Sequence, residues 1–235
     1  MEHRPKILST APLPAALAEK IHSAGLDLHV YEAIAIEFPE DAALQQQVNE
    51  TTHNSGNIIF TSSNAVTAVA RMPGGKHPNG WNIFCLEGKT SETVRTYWPH
   101  LTITATAPDS RALAQLIISA APQSCTFFCG GSRMDTLPAL LASAGISVKE
   151  IIVYHTLKRP SKLDFQPDAA LFFSPSAIES MQQDNDLSAI PELICIGQST
   201  AAAFGAALQQ QVHIAASASK ESVVETLIQL YKKHP

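Results

Sequence analysis

One order of segments occurs twice in this chain of 235 residues, and no single motif restricts the possible folds as much. A short apolar run at 6–10 leads through Ala11-Pro12 into a helical pattern at 13–24, closed by Gly25 and followed by an extended run at 26–36. The run 126–129, the helical pattern 137–144, Gly145 and the extended 146–156 repeat that order, with Leu13-Pro14-Ala15 matched by Leu137-Pro138-Ala139. Glycine directly after the last periodic residue is the expected helix stop. Ile59 to Val66 reappears as Leu171 to Ile178 with Ser174 over Ser62, and Phe84 to Ser91 reappears as Ile194 to Thr200 with Gly197 over Gly88. The strand 101–106 with its helix 111–119 returns as 212–215 and 221–231. Buried-type strands alternating with helices predict an α/β protein, with parallel sheets flanked by helices on both faces.

In such sheets ligands sit at the carboxyl ends of the strands. Here those ends carry Ser62 and Ser63, Gly88 through Ser91, Ser174 and Ser176, and Gly197, Ser199 and Thr200. The stretch 193–204, Leu-Ile-Cys-Ile-Gly-Gln-Ser-Thr-Ala-Ala-Ala-Phe, is the clearest example: an apolar strand stops at glycine and hydroxyl residues before an alanine-rich helix. Backbone N–H groups at a helix start suit an anion. Nothing reads G-x-x-x-x-G-K-[ST] or G-x-G-x-x-G, so the anion need not be a phosphate. Two such faces across a cleft suit a large polyanion.

Composition narrows the function classes. With 45% hydrophobic and 16% charged residues the chain has a globular composition, and a net charge of −5 argues against a general nucleic-acid binder. Cys85, Cys125, Cys129 and Cys195 all lie in or beside apolar runs and read as buried thiols; Cys125-x-x-x-Cys129 is neither a redox nor a zinc spacing, so no metal site is expected. No signal-like segment opens the chain and no apolar stretch is long enough to span a bilayer, so a cytoplasmic location without membrane attachment is expected.

Four stretches become recognisable together: Ile-Ile-Phe-Thr-Ser-Ser-Asn-Ala-Val at 58–66, Gly145 through Val153-Tyr154-His155-Thr156, Leu-Phe-Phe-Ser-Pro-Ser at 171–176, and Ile-Gly-Gln-Ser-Thr-Ala at 196–201. In this order and spacing, over 6–232, the chain resembles the uroporphyrinogen-III synthases. The resemblance implies a cofactor-free hydro-lyase of tetrapyrrole synthesis, which closes hydroxymethylbilane into uroporphyrinogen III with loss of water and inversion of ring D through a spiro intermediate. It implies two small α/β lobes joined by a two-segment extended connector, residues 1–36 with 158–235 forming one lobe and 37–157 the inserted other. The segment 6–36 would then pack with the later repeats of its partner segments. It further implies Tyr154 as the general acid assisting departure of the hydroxyl. The carboxylate arms of the substrate would fall to Ser62, Ser63, Gly88, Ser91, Ser174, Ser176, Gly197, Ser199 and Thr200. Hydroxymethylbilane is the implied partner, a handover from hydroxymethylbilane synthase is allowed, and a monomer is expected.

The chain departs from the family pattern in two places. Ser9-Thr10-Ala11-Pro12 stands where many members have Thr-Arg-Pro, and Cys129-Gly130 where many have Arg-Gly, which leaves Lys89, Arg133, Lys158 and Arg159 as the basic residues near strand ends or crossings. Those departures motivate one alternative, a non-catalytic bilobed sensor of the same fold binding a tetrapyrrole or another small polyanion. Each residue also has a plainer reading. Tyr154 suits a core ring with a bonded hydroxyl, while Ser62, Ser174 and Thr200 suit helix caps worth roughly 1 kcal/mol each. His155 points to the strand face opposite Tyr154. Gly74-Gly75 suits a mobile loop.

Overall fold

The structure, a computed structural model, describes residues 4–76, 78–132 and 135–233. The chain divides into two compact units, Met1–Ala35 with Leu157–Pro235 and Ile36–Thr156. The strands are β1 Lys6–Ser9, β2 Asp27–Val30, β3 Ile34–Glu37, β4 Gly56–Phe60, β5 Trp81–Leu86 and β6 Ile103–Ala107. They continue with β7 Ser124–Gly130, β8 Ser147–Lys158, β9 Ala169–Phe172, β10 Glu192–Cys195 and β11 Val212–Ile214. The helices are α1 Ala15–Ser23, α2 Ala42–Thr52, α3 Ser63–Arg71, α4 Lys89–Tyr97 and α5 Ser110–Ala120, then α6 Thr136–Ser143, α7 Pro175–Met181, α8 Gln198–Ala201 and α9 Lys220–Lys233.

One sheet has the order β11-β10-β9-β1-β2, the other β3-β8-β7-β4-β5-β6. The early β1 pairs in parallel with the late β9, Ile7 opposite Ala169, while β4 pairs with β7, Ile58 opposite Thr126. The two repeats are therefore exchanged: each sheet combines the βα hairpin of one repeat with the three later strands of the other. β3 and β8, which contain the two passages of the chain from unit to unit, are neighbours in the six-stranded sheet.

In the Ile36–Thr156 unit, strand alternation sends Phe60 and Phe128 to one face of the sheet and Ile59 and Phe127 to the other. Phe60 stacks on Phe128 at 5.5 Å, and Trp81 meets Trp98 edge-on at 5.4 Å. Both indoles find acceptors despite burial: Trp98 Nε1 donates to the Gly75 carbonyl at 2.8 Å, and Trp81 Nε1 to that of Thr51 at 3.1 Å. The segment Pro73–Lys76 is accordingly a 3₁₀ turn with Gly75 buried, not the mobile loop its glycines suggest, because it supplies the acceptor for Trp98. Helix starts follow the capping residues. Asp41 accepts from Ala43 and Leu44, Asp109 from Arg111 and Ala112, and Ser62 from Asn64.

The other unit places Leu8, Ala170, Phe172 and Leu193 on one face, and Ile7, Leu171 and Ile194 on the other. Two expectations need correction here. The alanine-rich helix after β10 is a single turn, α8, followed by a 3₁₀ segment at Ala206–Gln211. Alanines offer little apolar surface to bury, and the fixed point is Phe204, which packs edge-on against Phe172 at 5.3 Å. The extended run at 26–36 is interrupted: β2 ends at Val30, and Tyr31 turns its hydroxyl to Asp164, 2.8 Å away, before β3 begins.

Candidate active site

The carboxyl ends of β4 and β7 meet, with Tyr154 of β8 beside them, where the six-stranded sheet reverses its strand order, the position at which open α/β sheets form their ligand crevice. β4 ends in Phe60, and the next residues deliver Ser62 to the N-cap of α3, where its oxygen accepts from the Asn64 N–H at 3.1 Å. β7 ends at Gly130. Between Cys129–Ile152 and Gly130–Tyr154 the pairing of β7 with β8 slips by one residue, a bulge that gives β8 an extra residue at this edge. Ile151 and Val153 point into the aromatic cluster, and strict alternation would turn Tyr154 away from it; with the bulge Tyr154 packs on the same cluster.

The tyrosine ring lies directly over Gly130. A Cβ there would stand 2.5 Å from Tyr154 Cζ and 2.8 Å from its Oη, inside van der Waals contact. The phenol is half-buried, and the Ser62 side chain is near enough to act on it. Burial raises its pKa above the ordinary tyrosine value, Ser62 acts in the lowering direction, and the Cys129 thiol adds a smaller upward effect. At neutral pH the group is a protonated phenol at a strand end, a weak acid with a proton to give. His155, the next residue, is exposed and approaches Gly131 instead: a Cβ at Gly131 would lie 2.7 Å from His155 Nδ1.

The other residues singled out from sequence lie at strand-to-helix turns. Ser63 is half-buried in the first turn of α3. Gly88 is exposed at the N-cap of α4 with φ 66°, a left-handed conformation that excludes most side chains. Ser91, only 4 % exposed, donates to the Gly88 carbonyl at 3.0 Å and accepts from Arg95 Nη1 at 3.2 Å, so its hydroxyl braces the turn from inside. Ser62, Ser63, Gly88, Ser91 and Tyr154 belong to the Ile36–Thr156 unit.

In the other unit Ser174 caps α7 by accepting from Ala177 at 3.2 Å, with Pro175 in the first turn and Ser176 half-buried beside it. Gly197 is extended at the N-cap of α8, Ser199 is exposed, and Thr200 is 2 % exposed with its N–H bonded to the Gly197 carbonyl. Of the basic residues considered, Lys89 opens α4, Lys158 pairs with Glu179 at 2.8 Å, and the Arg159 N–H donates to the Ala33 carbonyl; Arg133 lies outside the described residues. Among the described residues no three His, Cys, Asp or Glu side chains gather as a metal site, and no helix is long and apolar enough to cross a membrane.

Sequence reasoning missed Gly130 as part of the site. It had a signal, a glycine at the end of a buried strand, but the reason for that glycine lies on another strand.

Comparison with known proteins bears on the family and the fold. The family described as Uroporphyrinogen-III synthase HemD matches residues 15–225. None of the curated proteins matches the chain. Among solved structures, uroporphyrinogen-III synthetase from Helicobacter pylori aligns with a TM-score of 0.64 at 19% identity, over 97% of this chain and 100% of that one. A mutant uroporphyrinogen III synthase from the extremely thermophilic bacterium Thermus thermophilus aligns with a TM-score of 0.69 at 17% identity, over 97% of this chain and 98% of that one. At such identities the structures establish a shared fold, and the family match, which covers most of the chain, establishes kinship: this chain belongs to the uroporphyrinogen-III synthase family.

Proposed function

We propose that the chain is a cofactor-free hydro-lyase, cyclising hydroxymethylbilane to uroporphyrinogen III through a spiro intermediate with Tyr154 as general acid. Family membership supports an enzyme of tetrapyrrole synthesis acting on hydroxymethylbilane. The observation that carries the chemical reading is the half-buried Tyr154 phenol seated over Gly130 where β7 ends, a group that is protonated at neutral pH. Its proton goes to the substrate's hydroxymethyl oxygen as the carbon–oxygen bond breaks. Water leaves, electron density from the pyrrole nitrogen fills the vacated bond to give an azafulvene, and ring D attacks through its substituted carbon. Positioned proton transfer of this kind contributes about 10²-fold or more. Folding the chain so that ring D presents that carbon is a matter of orientation, which the grip on the carboxylates supplies.

That grip falls to the strand-to-helix turns. Ser63, Ser176 and Ser199 offer hydroxyls, and Ser62 and Ser174 fix the helix starts whose dipoles favour anions. Gly88 and Gly197 leave backbone at their turns uncovered by a side chain, while the buried Ser91 and Thr200 hold those turns in shape. Of the exposed large apolar side chains among the described residues, Val30, Tyr97, Leu116 and Ile214 fall on separate elements and only Ile152 and Leu157 share one, β8, a scatter that supports a monomer. The four cysteines are buried thiols outside any disulfide, which accords with a reducing compartment such as the cytoplasm. Spontaneous closure of hydroxymethylbilane to the type I isomer favours a handover from hydroxymethylbilane synthase.

The test is to mix the protein with enzymatically generated hydroxymethylbilane, oxidise the products and separate the porphyrin isomers. The type III isomer is expected; type I alone, at the spontaneous rate, overturns the reading.

A further inference from the structure

From the end of β7 and the start of α3 we infer that Gly130 and Ser62 are positioning residues for Tyr154: Gly130 provides the seat on which the ring lies, and Ser62, fixed at the N-cap of α3, sets the polarity beside the hydroxyl. The inference rests on the proposed role of Tyr154 as general acid and adds the two residues through which that role is exercised. Two geometric features carry it, and the anchoring of Ser62 completes it. The bulge in β8 re-aims Tyr154 toward the aromatic cluster around Phe60 and Phe128. The seat is then free only because residue 130 lacks a side chain, since a Cβ would lie 2.5 Å from Cζ and 2.8 Å from both Cε2 and Oη. No positive φ is recorded at Gly130, so what the glycine supplies is room. Ser62 meanwhile is fixed by its cap contact with the Asn64 N–H, so the side chain that acts on the phenol in the lowering direction is anchored to α3.

The two residues act on the phenol in opposite senses. Gly130 lets the ring sink against the core, which favours the neutral phenol, while the Ser62 hydroxyl favours the phenolate. Cys129, beside the seat, adds to the first effect. Gly131 and His155 form a second close approach at the next step of the strands, which leaves the Tyr154 ring on Gly130 alone.

The test is a spectrophotometric titration of tyrosine ionisation combined with turnover of hydroxymethylbilane. Four tyrosines are present, so each protein is measured against the same protein carrying Tyr154→Phe, and the difference isolates the Tyr154 step. Gly130→Ala is expected to move that step down toward the ordinary tyrosine value of about 10. It should also lower kcat about tenfold with little change in KM, and adding Tyr154→Phe to Gly130→Ala should cost nothing further. Ser62→Ala is expected to move the step the other way, upward, and serves as the second arm if Gly130→Ala fails to fold. A Tyr154 step that stays at its wild-type position in the folded Gly130→Ala, or in Ser62→Ala, overturns the inference. Should the wild-type protein form no type III isomer, the synthase reading falls, and the titration alone decides the seat.

Discussion

The two sheets share a strand order but finish their central strands differently. In the Ile36–Thr156 unit β7 ends at Gly130, and the vacancy above it holds the Tyr154 ring. In the other unit β1 runs into Thr10, which is 1 % exposed, and both its N–H and its Oγ1 donate to the Leu171 carbonyl on β9, at 3.1 and 2.8 Å. One strand end accommodates a side chain from its paired neighbour β8; the other is sealed by its own hydroxyl. The accompanying strands differ in the same sense. β8 continues past its bulge to Lys158, whereas β2 stops at Val30 and the following Tyr31 bonds outward to Asp164. A duplicated framework has thus given one unit a half-buried phenol over its strand end and the other a closed floor, while both keep the serine-capped turn.

The largest way to stress this comparison is to remove the aromatic support on each side. Phe60→Ala and Phe172→Ala should each destabilise by about 3–5 kcal/mol, read from denaturant midpoints, because each deletes a fully buried ring. Phe60 also belongs to the cluster under Tyr154, so its loss should disturb the tyrosine step, and the loss of Phe172 should not. Next, Tyr154→Phe should lower type III formation at least about tenfold with folding intact, whereas Tyr31→Phe should leave the rate as it is. Equal effects from the two tyrosines would erase the distinction between the crevices.

Smaller effects sharpen it. Ser62→Ala and Ser174→Ala should each lose about 1 kcal/mol of stability as helix caps, yet only Ser62→Ala should shift the tyrosine titration, since Ser62 alone of the two acts on Tyr154. Thr10→Val should cost about 0.5–1.5 kcal/mol for the lost bond to Leu171, with turnover unchanged.

pH gives a further reading. Burial pushes Cys85 and Cys125 up to about 11 and Cys195 up to about 12, from an ordinary 9.0. Folded-state values above the unfolded ones mean that the unfolded chain loses these protons first. Their contribution is therefore complete below pH 9.0 and is lost as pH rises toward 11 and 12. Urea midpoints should hold between neutrality and about pH 8.5 and then fall, in both units, as both contain such thiols.

Much of this was legible beforehand because the relevant physics is local. Ser62, Ser174, Asp109 and Asp41 announce helix starts within three residues of themselves, and the apolar runs at Ile58–Phe60 and Leu171–Phe172 announce buried strands by composition alone. Tyr154 could be singled out through the family resemblance. Its seat could not, because a bulge is a relation between two strands and Gly130 is needed only where another strand's ring arrives. The helix after Gly197 was overestimated for a related reason: alanine has high helix propensity, but a short amphipathic segment is held by what it buries, and Phe204 buries its ring against Phe172 beyond the end of α8.

The sequence by itself determined the α/β class, the duplicated order of segments, the capped turns and the family. The tertiary structure decided which repeat's hairpin completes which sheet, which serine meets a phenol, and which strand end stays open. Local propensities act over a few residues and are written in the chain, whereas register, bulges and close approach arise only when distant strands share one sheet and compete for the same space.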